Sequence, residues 1–312
     1  MSRQIVTVTL SPSIDTTLFV DGLDTDKTNR VLGERYDCGG KGVNVSRVAF
    51  SFGVNTTCLA VTGEENMLEF ASFLKKDGLR FDLLPIPGAV RENLTLRAGK
   101  QTIKLNRQGP TLSRMMTAAL MAMIRRWVRP DDIVVFAGSL PANFAMQDFA
   151  EIVLATKQAG AHVALDCGEI TMEALRTIRP WLIKPNIHEL CAICPQAANG
   201  VDGIIAAAKQ LRQAGVENVL VTRGPDGMML FCEDKVITAS APAVEVASTV
   251  GAGDSALAGF AVGFVRQMPV EDCLRMAAAS GTAAVMQEGT RLATRAAAEE
   301  LLDKVTLEEV AL

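Results

Sequence analysis

Short, wholly apolar runs separated by helical stretches constrain this chain more than any other feature. Ile5–Leu10, Thr56–Val61, Ile133–Phe136, Val163–Leu165, Trp181–Ile183 and Val219–Val221 read as strands. The run from Val43 to Phe52, Asn66–Asp77, Ser113–Trp127, Ala145–Gln158, Thr171–Ile178 and Asp202–Gln213 read as helices between them. Strands without polar alternation are buried on both faces, which predicts a mostly parallel sheet covered by helices on either side. Ligands of such sheets bind beyond the carboxyl ends of the strands. Two stretches, 17–36 and 91–106, instead alternate apolar and polar residues and predict a small antiparallel sheet, a lid over that end. The last third reads as helical, over Ala256–Arg266, Val270–Gln287 and Thr294–Val305.

Composition narrows the function. The 312 residues carry a net charge of −4 and only 5% aromatics, with no Lys/Arg block, so a basic, base-stacking surface for nucleic acid is not expected. No apolar run reaches membrane-spanning length, so no membrane partner is expected. The first strand shows no signal-peptide layout. Seven scattered cysteines fit reduced thiols in a cytoplasm. Cys191 and Cys194 form the one C-x-x-C and lack a second pair, so two thiols on one helix are expected rather than zinc.

Chemistry concentrates in two glycine clusters. Ser248-Thr249-Val250-Gly251-Ala252-Gly253-Asp254-Ser255 follows a strand-like Val244–Val246 and opens an apolar helix. Glycines there let the backbone bare N–H groups at a helix N-terminus, where unpaired amides and the helix dipole attract an anion. Asp254 beside such a hole is a poor anion binder and a good proton acceptor. An anion hole at Gly251, Ala252 and Gly253 plus a base points to phosphoryl transfer to a hydroxyl. The bland alternative is a helix cap and nothing more. The second cluster, Cys38-Gly39-Gly40-Lys41-Gly42-Val43-Asn44, also enters a helix. Its bare backbone at Gly39 and Gly40, the Lys41 charge and the Asn44 amide suit hydroxyls or a phosphate, where a hinge is the competing reading.

Together GGKGVNVSR and STVGAGDS resemble both signatures of the ribokinase-like sugar kinases, the phosphofructokinase B family. Thr9-Leu10-Ser11-Pro12-Ser13-Ile14-Asp15, Gly138-Ser139-Leu140-Pro141, Lys184-Pro185-Asn186 with Glu189, and Thr222-Arg223-Gly224-Pro225-Asp226-Gly227 are similar to further family motifs in the same order. The resemblance runs nearly the whole chain and is nearest the phosphosugar branch. It implies an α/β three-layer sandwich with a small β-sheet lid, in one domain over 1–312.

The implied reaction is ATP-dependent phosphorylation of a ketohexose phosphate: fructose 1-phosphate first, then tagatose 6-phosphate or fructose 6-phosphate. The implied acceptor side is Asp15, Gly39, Gly40, Lys41, Asn44, Arg91, Asn93, Lys104 and Ser139. Arg91 is the favoured phosphate grip, because a guanidinium binds phosphate in bidentate fashion; Lys27 and Arg107 are further cations in reach. The nucleotide side is Lys184, Asn186, Thr222, Arg223, Gly224, Gly227, Ser248, Thr249 and Ser280. Asn186 and Glu189 would hold Mg²⁺ through waters, although Glu189 also reads as a first-turn carboxylate. A monovalent cation such as K⁺ would sit at Ser248, Val250 and Arg291. A homodimer through the lid is expected, since exposed strand edges invite pairing. Two other readings stay open: a kinase of an unphosphorylated sugar or nucleoside, and a non-catalytic binding protein. A nicotinamide dehydrogenase is disfavoured, because no G-x-G-x-x-G follows the first strand.

Overall fold

The computed structural model describes residues 3–310 except 100 and 234, so one position inside the expected 91–106 stretch lies outside the described residues. The chain opens with β1 (Ile5–Thr9), β2 (Ser13–Val20), β3 (Val31–Gly39), α1 (Lys41–Ser51), β4 (Thr56–Gly63) and α2 (Met67–Lys76). It continues through β5 (Arg80–Ile86), β6 (Arg91–Ala98), β7 (Gln101–Asn106), α3 (Met115–Trp127), β8 (Ile133–Ala137) and α4 (Met146–Gln158). Next come β9 (His162–Asp166), α5 (Met172–Ile178), β10 (Leu182–Ile183), α6 (Ile187–Ile193), α7 (Gly200–Gln213) and β11 (Asn218–Thr222). The C-terminal part holds β12 (Met228–Cys232), β13 (Lys235–Ala239), α8 (Ala252–Val265), α9 (Val270–Val285), α10 (Arg295–Glu299) and β14 (Leu307–Val310).

One ten-stranded sheet runs in the order β14-β13-β12-β11-β10-β9-β8-β1-β4-β5. The strands from β11 to β5 pair in parallel, and β12, β13 and β14 add an antiparallel margin. Two large apolar clusters flank this sheet. One joins Phe136, Phe149, Leu175 and Leu211, and the other joins Phe52, Leu257, Phe260 and Leu274. The expected three-layer α/β architecture is therefore what forms.

The second sheet has four strands in the order β3-β2-β6-β7. Its strands match the two alternating stretches, but β2 begins four residues earlier than read, at Ser13, and β2 pairs β6 in parallel rather than antiparallel. It sits where β1 ends, because only Leu10–Pro12 separates β1 from β2.

Three expectations need correction. Val244–Val246 forms no strand: both edges of β13 are already taken by β12 and β14, and residues 241–249 cross the sheet end instead. The helix expected over Thr294–Val305 shrinks to α10 and a 3₁₀ turn at Leu302–Lys304, after which the chain joins the sheet as β14. The antiparallel margin from β12 to β14 was not expected at all.

Candidate active site

Both glycine clusters start helices at the carboxyl ends of the sheet, and the structure brings those starts face to face. Gly40 caps α1 with φ 125° and Gly251 caps α8 with φ 76°, values that L side chains rarely adopt. Asn44, on the first turn of α1, donates its amide N–H to Asp254 Oδ2 at 2.7 Å. Asp254 occupies the first turn of α8 and is 7% exposed. The α8 amides at Gly253 and Asp254 have no carbonyl four residues back inside the helix, while the Ala252 N–H reaches the Thr249 carbonyl at a long 3.5 Å. A lysine joins them: a Cβ added at Gly253 would lie 3.2 Å from Lys184 Nζ.

Behind this pair stands Asp166, which the sequence reading missed. It ends β9, is 2% exposed, and places Oδ1 2.9 Å from Lys41 Nζ and Oδ2 3.2 Å from Lys184 Nζ. Burial alone would raise its pKa, but the two ammonium charges outweigh that and hold its carboxyl below the usual carboxylate range. Lys41 remains a firm cation: burial works against its charge, and Asp166 with Glu189 more than offsets this. Asp254 is shifted the other way. Burial and the nearby Asp166 charge push it up to about 6, against the hydrogen bond from Asn44 and the charges of Lys184 and Lys41. A buried carboxylate whose affinity for a proton is matched to near-neutral pH, beside a hole of amide donors, can accept a proton from a hydroxyl in attack.

The acceptor side lies on the smaller sheet. Asp15 Oδ1 accepts from Ser13 Oγ and from Asn93 Nδ2, each at 2.8 Å. A Cβ at Gly39 would fall 2.3 Å from Asp15 Oδ2, so only glycine lets β3 run beside this carboxylate. Arg91 starts β6 opposite Ser13, and its terminal N–H donates to the Ser11 carbonyl at 3.2 Å. Arg91 Nε and Asn93 Oδ1 are buried without a hydrogen-bond partner. Gly138 N–H donates to the Asp166 carbonyl, which sets the Ser139 loop beside the start of α1. Lys104 is exposed on β7, opposite Thr95 and so on the same face of the sheet as Asn93, whereas Lys27 pairs with Asp24 in the 21–30 loop and Arg107 pairs with Glu92.

The nucleotide-side residues divide. A cavity of about 630 Å³ adjoins the α8 N-terminus and is lined by Asn186, Thr222, Gly224, Gly227, Thr249 and Gly253, with Pro225, Met228, Val244, Val246 and Val285 among its apolar walls. Val244–Val246, read as a strand, thus serves as cavity wall. Lys184 is beside Asp166 and Gly253 and not on that lining. Arg223 folds back on its own turn, donating to the Asp226 carbonyl at 2.6 Å. Ser280 is wholly buried against α8, where a Cβ at Gly259 would meet its Oγ at 2.6 Å; Gly281 and Thr282 line the cavity instead.

Asn186 and Glu189 form a reciprocal capping box on α6: Asn186 Oδ1 accepts from Glu189 N–H and Glu189 Oε2 accepts from Asn186 N–H, both at 2.9 Å. Each side chain therefore holds the helix as well as facing the cleft. Glu189 Oε1 remains directed at Lys41 Nζ, 3.5 Å away. Among the described residues no cluster of three His, Cys, Asp or Glu side chains could bind a metal directly, and all seven cysteines are free. At the proposed monovalent site, Ser248 Oγ donates to the Gly289 carbonyl at 2.7 Å and accepts from Val250 N–H at 3.2 Å. Arg291 caps the adjacent turn through its N–H and the Glu288 carbonyl.

An α/β sandwich with a small second sheet, and a cleft where a buried carboxylate meets two glycine-bearing helix starts, fit a carbohydrate kinase, and the chain belongs to the pfkB family carbohydrate kinases, whose profile matches residues 3–297. Among its relatives, the 1-phosphofructokinase of Bacillus subtilis is 34% identical over 302 residues, spanning 96% of this chain and 98% of that one. The tagatose-6-phosphate kinase of Staphylococcus epidermidis is 27% identical, spanning 98% of this chain and 100% of that one. The fold is shared with phosphofructokinase-2 from Escherichia coli, crystallised with potassium, at a TM-score of 0.90, 24% identity and coverage of 97% and 99%.

Proposed function

We propose that this protein transfers the γ-phosphate of ATP to a ketohexose phosphate, with fructose 1-phosphate as acceptor and fructose 1,6-bisphosphate as product. The observation that carries the reading is the Asn44–Asp254 hydrogen bond, which joins the two glycine-bearing helix starts in one cleft. In the reaction the C6 hydroxyl oxygen bonds the γ-phosphorus as the bond to the ADP oxygen breaks. Asp254 takes the hydroxyl proton. The Gly251, Ala252 and Gly253 amides, with Lys184, stabilise the charge on the transferred group. Asp15, Asn93 and Asn44 orient the sugar hydroxyls, and Ser139 donates to the sugar phosphate. Arg91, with a buried Nε lacking a partner, holds that phosphate.

The cavity beside α8 accommodates the nucleoside, with Thr222, Gly224, Gly227 and Thr249 on its walls. Glu189 Oε1, outside the capping box, and the second lone pair of Asn186 Oδ1 would accept from waters that hold Mg²⁺. Mg²⁺ supplies charge neutralisation at the transferring phosphates. A potassium complex of the Escherichia coli fold relative supports K⁺ at Ser248, Val250 and Arg291.

We also assign the smaller sheet as a lid that shields the acceptor from water, and as a homodimer surface. On its face opposite Asp15, Tyr36, Leu94 and Leu105 lie in register across three strand pairs, and Tyr36, Ile103 and Leu105 are 41%, 38% and 51% exposed. All seven cysteines are free, which fits a reducing, cytoplasmic compartment.

The test is a kcat/KM panel with ATP over fructose 1-phosphate, fructose 6-phosphate, tagatose 6-phosphate and free fructose. Fructose 1-phosphate is expected to lead. Turnover of free sugars alone would remove the phosphosugar reading, and binding without turnover would remove the enzyme.

A further inference from the structure

The lid and the anion hole are tied together by a ring of three side chains that neither glycine cluster contains. On β3, Arg35 Nε donates to Asp37 Oδ2 at 3.0 Å. Another guanidinium N–H of Arg35 donates to Thr290 Oγ1 at 2.9 Å, across 255 residues of chain. Thr290 Oγ1 completes the ring by donating to Asp37 Oδ2 at 3.0 Å. The threonine hydroxyl thus uses one proton and one lone pair, and both of its bonds are charge-assisted.

Each end of this ring leads into the proposed machinery. Asp37 pairs in register with Asp15, and Asp15 with Asn93. Residues opposite one another on adjacent strands project from the same face, so Asp37 shares the acceptor-facing side of the lid. On the core side, Gly289 lies one residue before Thr290, and its carbonyl accepts the Ser248 hydroxyl at 2.7 Å. Leu292, two residues after Thr290, lies where a Cβ on Gly251 would meet its Cδ2 at 2.5 Å. Ala293 N–H reaches Ser255 Oγ at 3.4 Å. Residues 289–293 therefore wall the turn that shapes the hole.

A solvent-accessible ion pair alone contributes little to stability. Arg35 and Asp37 are 34% and 32% exposed, so a purely structural role would be small. Their value lies in what they join. We propose that Arg35, Asp37 and Thr290 form a latch that couples the position of the lid over the acceptor to the geometry of the anion hole, so that sugar phosphate and nucleotide strengthen each other's binding. These are positioning residues: none touches the reacting atoms. The inference rests on the kinase reading above.

The test measures the affinity of fructose 1-phosphate by calorimetry with and without a non-hydrolysable ATP analogue, in the wild type, Thr290→Val, Thr290→Ser and Arg35→Gln. Linkage makes the effect reciprocal, with coupling in proteins of roughly 5–150-fold. The wild type is expected to show such coupling. Thr290→Val and Arg35→Gln should reduce it to within about two-fold of unity and lower kcat, while each ligand alone binds within about two-fold of wild type. Thr290→Ser, which keeps the hydroxyl, should restore it. Coupling retained in both Thr290→Val and Arg35→Gln, or lost equally in Thr290→Ser, overturns the latch, as does a wild type without coupling. If the wild type phosphorylates no ketohexose phosphate, the kinase reading itself falls, an outcome separate from any behaviour of the variants.

Discussion

Asp254 is a carboxylate held close to the point where it releases its proton. The dipole of α8 and the Asn44 amide favour the anion, yet burial and Asp166 win and push it up to about 6. As the proposed base, it works only when ionised, so kcat should rise as pH increases through about 6 and level off above it. Asp254→Asn should abolish that rise and lower kcat at least ~100-fold, within the usual worth of general-base help. Stability carries the opposite sign. A carboxyl raised from 3.8 to about 6 contributes stability that is full below 3.8 and is lost as pH climbs through 6. Thermal melts should therefore show Asp254→Asn gaining on the wild type at pH 8 relative to pH 5; equal differences at both pH values would sink the shifted-carboxyl account. Asp254 and Asn44 stand out in the sequence because both belong to glycine-flanked helix starts, which the structure brings together. Asp166 does not: a lone Asp after His162–Leu165 has no motif, and its only signal is its place at the carboxyl end of a buried strand. Of the two roles read for Glu189, the capping box shows the cap, and it leaves Oε1 free of that box.

At the scale of the element, the α8 start depends on one left-handed residue. Gly251 sits at φ 76°, and an added Cβ would strike Leu292 Cδ2. Gly251→Ala should cost about 1–3 kcal/mol in stability from backbone strain alone. It should also lower kcat more than it raises KM for the sugar, because the amides that move serve the transferred group. Calorimetric melting with steady-state kinetics checks both. Gly253→Ala tests a different contact, since an added Cβ would lie 3.2 Å from Lys184 Nζ, which is buried and paired with Asp166. Most helices were read well from sequence: α2 to α5 and α7 fall within two residues of expectation at each end, because their apolar spacing is regular, whereas α6 was given no bounds. Strands at the C-terminal margin were not. Met228–Cys232 is as apolar as the strands that were read, but no helix sets it off from Val219–Val221, and Val244–Val246 has β-branched residues but follows β13, both of whose edges are taken. Pairing partners, not local propensity, decided both.

For the molecule as a whole, the lid is the part whose surface remains unexplained by a single copy. An apolar stripe through Tyr36, Leu94 and Leu105 faces away from Asp15, and β7 is exposed along its length. Sedimentation velocity at micromolar concentration should give a dimer, and Leu105→Asp should weaken the self-association constant at least ~10-fold, as a charge placed in an apolar contact must lose its water. A monomeric wild type would remove the lid from that role. The alternating stretches announced this sheet in the sequence, but its parallel β2–β6 pairing could not be foreseen, since it depends on how residues 41–90 return the chain. The cavity beside α8 has a further consequence. Asn186, Thr222, Thr249 and Thr282 are the polar side chains on its lining, and no ionised group joins them. Aliphatic walls bind adenine and guanine by much the same dispersion and desolvation, so side chains alone discriminate weakly between purines. With the nucleoside bound there, as proposed, GTP is expected to replace ATP with only a modest change in kcat/KM, which steady-state assays with each triphosphate check.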